Sequence, residues 1–167
     1  MQMIISGIIF FTLLLLPVCA EERSKSEKVI ASKNQKNEAV QTLQKKDEAL
    51  ETFDKLIWET DMDHAFERAK KEHRNVMVMV EDIRCKWCKN MKIGALSDAR
   101  VQEKLQSYIL LKVQRSDKET SKRIVDFAGA IPSFYFMEPN QEIYESMVGY
   151  FAIEDFLSYL IEIEEDN

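Results

Sequence analysis

The chain has 167 residues and a formal net charge of -6, from 23 Lys+Arg against 29 Asp+Glu, which allows one domain of ordinary size with extra segments and excludes several core-forming domains. With 46% hydrophobic and 31% charged residues but only 4 Gly and 3 Pro, collagen-like and low-complexity chains are excluded as well. A pI near 5.1 with no block of Lys and Arg leaves no electrostatic footprint for nucleic acid.

The chain opens on an apolar run from Met3 to Val18, broken only by Ser6 and Thr12 among its polar residues, and its length matches the core of a signal peptide better than a full membrane span. Charges arrive together at Glu21 and Glu22, and Val18-Cys19-Ala20 suits cleavage after Ala20. Residues 1–20 therefore read as a signal peptide, and the protein as exported, into the periplasm. Two alternatives keep it at the membrane: an uncleaved leader, or a lipoprotein anchored through Cys19, against which Val18 is the wrong neighbour. Residues 21–57 read as a charged linker followed by an amphipathic helix. From Asn37 a thin stripe of Ala39, Leu43, Leu50, Phe53 and Ile57, interrupted by Lys46, predicts a helical extension that reads as a solvated spacer, with a docking or dimerisation helix as the alternative.

A compact domain is expected over residues 58–163, followed by an acidic tail, 164–167. A helix from Asp61 to His73 places Met62, Ala65, Phe66 and Ala69 on one face. Asn75 to Val80 reads as a strand buried on both faces. A helix from Lys86 to Ile93 ends at Gly94, and a second follows Ser97 with Val101 and Leu105 inward. Tyr108 to Val113 is the next strand. Thr120 to Ala128 reads as a helix carrying Ile124, Val125 and Phe127, with Gly129 as its C-cap. Ser133 to Met137 and Glu142 to Val148 form a hairpin. The last helix, Ile153 to Ile163, turns Phe156, Leu157, Leu160 and Ile161 inward. Met77, Met79, Met91 and Met137 belong to the core. The order β-α-β-α-β-β-α predicts an α/β fold whose central mixed sheet has a parallel section and an antiparallel edge.

Chemistry concentrates at Cys85-Lys86-Trp87-Cys88. The pair sits where a strand meets a helix, so the Cys85 sulfur falls at the helix N-terminus, where free N–H groups and the helix dipole favour a thiolate. Cys85 is the expected nucleophile. Arg84 and Lys86 flank it and lower its pKa in the same direction. Cys88, one turn further, is expected to be more buried and to resolve a mixed disulfide formed on Cys85. Zinc would need two more ligands, for which only His64 and His73 are available, so no metal or other cofactor is expected. A structural Cys85–Cys88 bridge closes so short a loop that it adds little stability.

Taken with Ala65, Ala69 and Lys70 before the first strand, with Ala130-Ile131-Pro132-Ser133-Phe134 and with Val148-Gly149-Tyr150, this motif resembles the thioredoxin family, in particular its exported thiol-disulfide oxidoreductases, over about residues 58 to 163. The resemblance implies a thioredoxin-like fold, a cis Ile131-Pro132 bond beside the cysteines, and a substrate chain that pairs with the backbone of Ile131 and touches Trp87 and Pro132. The partners it implies are protein disulfides or thiols, with a membrane electron donor. Isoleucine before the proline resembles the reducing members, so reduction of protein disulfides is the expected direction. The competing expectation is a non-enzymatic chaperone or adaptor with a static Cys85–Cys88 disulfide. Two departures stand out. Arg84 replaces the Trp that usually precedes the first cysteine, and Lys86-Trp87 replaces Gly-Pro. The family's buried acid aligns with Met79, leaving Glu81 or Asp82 as substitutes, although both read as solvated residues at the strand end.

Overall fold

A computed structural model describes residues 40–53 and 55–165. The leader, Cys19, Ala39, the segment up to residue 36 and the last two residues of the acidic tail lie outside the described residues. Among the described residues, no helix is long and apolar enough to cross a membrane.

Short polar side chains set where the helices begin. Helix α1 covers residues 40–53 and is followed by a two-residue strand, β1 (Trp58–Glu59). Asp61 then caps α2 (Met62–Glu72), accepting from the His64 N–H at 2.9 Å, while His73 closes it in the left-handed conformation with φ 54°. Strand β2 (Val76–Glu81) leads to α3 (Lys86–Ile93), a 3-10 turn (Ala95–Ser97) and α4 (Ala99–Leu105), which is capped by Asp98. Strand β3 (Ile109–Gln114), a single turn α5 (Lys118–Ser121), β4 (Ser133–Met137), β5 (Ile143–Val148) and α6 (Ile153–Glu165) complete the chain.

The sheet order is β1-β3-β2-β4-β5. β1, β3 and β2 run parallel, and β4 and β5 form the antiparallel edge. Every residue of β2 is buried, as a central strand covered on both faces requires. Alternation along the strands divides the core in two. Val76, Val78, Val80, Ile109, Leu111, Val113 and Tyr135 pack with Ala65, Phe66 and Ala69 of α2. Met77, Met79, Leu110, Phe134 and Phe136 pack on the other face with Cys88, Met91, Leu96, Leu105, Phe156 and Leu160. A side chain of this size contributes roughly 1.5–3 kcal/mol when fully buried.

Four features differ from the sequence reading. Strand β1, too short to carry a periodicity, adds a fifth strand beside β3. The helix expected over Thr120 to Ala128 is the single turn Lys118–Ser121, because Asp117 caps it early by accepting from the Thr120 N–H at 3.1 Å. Beyond it the chain continues through tight turns that bury Ile124 and leave Val125 88% exposed, and Gly129, at φ 94°, serves a loop and not a helix end. In α6, Ile163 is buried and Ile161 is not, since positions 156, 160 and 163 share the inner stripe. Finally, α1 is docked at its end. Phe53 is 2% exposed, the Ser97 hydroxyl lies against the Ala49 carbonyl, and the Gln102 side-chain amide donates to the Thr52 carbonyl at 3.1 Å. Leu43, Leu50 and Ile57, expected on the same stripe, remain exposed.

Candidate active site

The loop that delivers the cysteines is a built turn. The Asp82 carboxylate accepts from the Arg84 N–H at 2.9 Å and the Asp82 carbonyl from the Cys85 N–H at 3.0 Å, which aims Cys85 at the start of α3. Cys85 is itself the N-cap: its sulfur accepts the Cys88 N–H at 3.0 Å. The two cysteines form a disulfide, with their Cα atoms 5.2 Å apart. Cys85 is half-buried and Cys88 is 1% exposed, packed in the cluster that holds Met91 and Phe156. Of the two cysteines, Cys85 is therefore the one with surface open to solvent.

Arg84, Cys85, Lys86, Trp87 and Ile131 line one cleft, together with Asp82 and Arg115. The Ile131-Pro132 bond is cis, and the buried Pro132 accepts the Gly149 N–H at its carbonyl, at 2.8 Å. Trp87 is exposed over about half its surface and lies against Tyr150, with ring centroids 5.5 Å apart. The Lys86 ammonium stands 5.7 Å from the Trp87 ring centroid. The charge of Arg84 is spent partly on its neighbour, since its guanidinium is exposed to water and 3.9 Å from Asp82, which Arg115 also approaches at 3.3 Å. The Arg84 N–H, followed by Arg115 and the Arg84 charge, holds the Asp82 carboxyl below its usual range, against the opposing effect of its burial. The histidines are not brought to the cysteines; His64 pairs with Glu59 at 2.9 Å instead.

The sequence reading took two residues at this site, Glu81 and Asp82, for solvated ones and gave no role to two others, Arg115 and Tyr150. Glu81 is not a solvated strand end. It is 2% exposed, because β2 runs one residue further than expected in pairing with Gln114 of β3. Alternation puts it on the face of Met77 and Met79, where its carboxylate accepts from the Gln114 amide at 3.1 Å and meets the Lys92 ammonium, one turn beyond Cys88 on α3. Asp82 is likewise only 9% exposed. The alignment of Met79 with the family's acid was the available signal for Glu81. Arg115 stands one residue past β3, a position with no sequence signal of its own, and Tyr150 follows Val148-Gly149 at the end of β5, where the family resemblance includes it without giving it a role.

A profile of the thioredoxin-like domain matches residues 62–164, more than half of the chain. The chain belongs to the thioredoxin-like domain family. This thioredoxin-like protein has no significant match among curated proteins. Its fold is similar to that of a thioredoxin from Thermus thermophilus, with a TM-score of 0.56 at 24% identity over 65% of this chain and 86% of that one. DsbH oxidoreductase is similar at a TM-score of 0.53 and 15% identity, covering 66% and 83%. The C-terminal domain of Neisseria meningitidis DsbD, in its oxidised form, gives 0.53 at 16% identity, covering 64% and 98%. In this thioredoxin-like protein the cysteine pair occupies the β2–α3 junction, at the end of the sheet where the parallel strands β2 and β3 finish.

Proposed function

We propose that this protein is an exported thiol-disulfide oxidoreductase that reduces protein disulfides. The observation that carries the reading is the asymmetry of the pair: one half-buried sulfur at a helix N-terminus and one sulfur enclosed behind it. In the dithiol form, the Cys85 thiolate attacks a client disulfide, forming an S–S bond to one client sulfur and releasing the other as a thiolate. The Cys88 thiolate then attacks the Cys85 sulfur, which frees the second client thiol and closes the Cys85–Cys88 disulfide. Two electrons pass to the client, and an external dithiol must return them. Outside the cytoplasm that role suits a membrane electron donor.

Several features support this reading. The Cys88 N–H that the Cys85 sulfur accepts is a donor suited to stabilising a thiolate, and Lys86 and Arg84 add positive charge nearby. Export is supported by the apolar leader and by the similarity to DsbH and DsbD. Similar structures include the Neisseria DsbD domain in both oxidised and reduced forms. Ile131 before Pro132 supports the reducing direction. Trp87, Ile131 and Pro132 are assigned to client contact.

The test is insulin reduction with a dithiol donor. The protein should accelerate it, Cys85→Ser should abolish the effect, and Cys88→Ser should accumulate mixed disulfides with clients. No acceleration would favour a static disulfide on a peptide-binding adaptor. Equal trapping by both variants would overturn the assigned roles.

A further inference from the structure

The mouth of the cysteine cleft carries the opposite charge to the rest of the chain. Arg84, Lys86 and Arg115 line it against one carboxylate, Asp82, so three cations face one anion in a protein whose total is -6. Asp82 lies within 3.9 Å of two of those cations but neutralises only one unit of charge. The side chain of Arg84 is 88% exposed. Apolar surface is set among these charges. Ile83 is 88% exposed, and Trp87 and Tyr150 are 51% and 46% exposed while their rings lie 5.5 Å apart. The Gly149 N–H bond to the Pro132 carbonyl ties Tyr150 to the same end of the sheet as Ile131. Exposed aromatic surface of this kind, rimmed by charge, marks a contact surface.

We propose that the cleft selects client disulfides set in acidic sequence with an aromatic or large aliphatic residue beside the cysteine; this rests on the oxidoreductase activity proposed above. An anionic segment is attracted to the mouth and repelled by the remaining acidic surface, so it arrives with its disulfide facing Cys85. The cations act mainly on the rate of encounter and so depend on salt. The Trp87–Tyr150 pair holds the apolar residue once it has arrived.

Two disulfide-bridged peptides of equal length test this, alike in carrying one Phe beside the cysteine but flanked by Glu in one and by Lys in the other. Each is reduced by the full chain, regenerated by a dithiol, at about 20 mM and about 500 mM salt, on either side of the screening length of exposed charges. The acidic peptide should be reduced about tenfold faster at low salt, with the gap closing to about twofold at high salt. Arg115→Gln should shrink the low-salt gap about threefold. Trp87→Ala should lower the advantage of Phe over Gly beside the cysteine by about threefold to tenfold. Equal rates on the two peptides, or a preference indifferent to salt and to Arg115→Gln, would overturn the charge selection while leaving the oxidoreductase reading intact. An advantage of Phe unchanged in Trp87→Ala would overturn the apolar part. Reduction of neither peptide would remove the underlying activity and this inference with it.

Discussion

Replacing Phe53 by Ala asks whether the N-terminal helix is a spacer or part of the domain. Phe53 is 2% exposed and lies 5.6 Å from the Trp58 ring, with the Lys92 and Lys112 ammonium groups 5.4 and 5.7 Å from its own ring centroid. Emptying a site this enclosed costs about 3–5 kcal/mol, of which the aromatic pair and the cation contacts each supply a fraction. The compact unit that contains it begins at Thr42, a size at which each kcal/mol moves the melting temperature by roughly 4 °C, so the variant should melt roughly 12–20 °C lower. Circular dichroism thermal unfolding measures this directly. Leu43→Ala is the control, since Leu43 is 61% exposed and its truncation should stay within about 0.5 kcal/mol. If Phe53→Ala also costs less than about 1 kcal/mol, the ring contributes no core and α1 is a spacer after all.

Two further outcomes follow from the charged groups. Glu81→Ala strands the Lys92 ammonium, but Lys92 keeps 21% exposure and a flexible stem, so the cost should fall near the lower end of the range for a broken buried pair, about 3 kcal/mol in urea unfolding, and an unchanged midpoint would dismiss the pair as structural. Arg68, 2.5 Å away, with His64 beside it, holds the Glu59 carboxyl below its ordinary 4.5; a folded-state value below the unfolded one stabilises above that pH and is lost as pH falls beneath it, so Glu59→Gln should flatten the acid limb of a melting-temperature profile, and parallel limbs would refute this.

Much of the fold was legible because its signals are local. The unbroken apolar run of β2, the apolar stripe of α2 and the Gly94 stop each act within a few residues, and the structure places these elements within a residue of expectation. Failures came where a distant partner decided the outcome. Trp58 and Glu59 become a strand only because Leu110 and Leu111 offer an edge. Ile124, Val125 and Phe127 look like one helical face, but Asp117 starts the turn early, and the core then buries Ile124, takes Phe127 in part and leaves Val125 outside. At the site, Cys85 and Cys88 announced themselves by spacing, and the family pattern pointed to Ile131 and Pro132. Glu81 looked solvated because charge at a strand end usually is, and its burial depends on Lys92 and Gln114 arriving from other elements. Arg115 lines the cleft from just past β3 and Tyr150 meets the Trp87 ring from just past β5, a convergence that exists only in three dimensions.

The methionines of the core give the molecule a chemical memory. Met62, Met77, Met79, Met91, Met137 and Met147 are all at most 4% exposed, and the Met91 sulfur accepts the Phe151 N–H at 3.3 Å. A mild oxidant in the surrounding medium reaches these thioethers only when the chain opens, and each opening caught in this way leaves a polar sulfoxide that no longer fits. Accumulated sulfoxide therefore counts past excursions from the native state, whereas the Cys85–Cys88 pair reports only the present balance of electrons. A preparation can be fully reduced at its cysteines and still carry the record of how often its interior has been open.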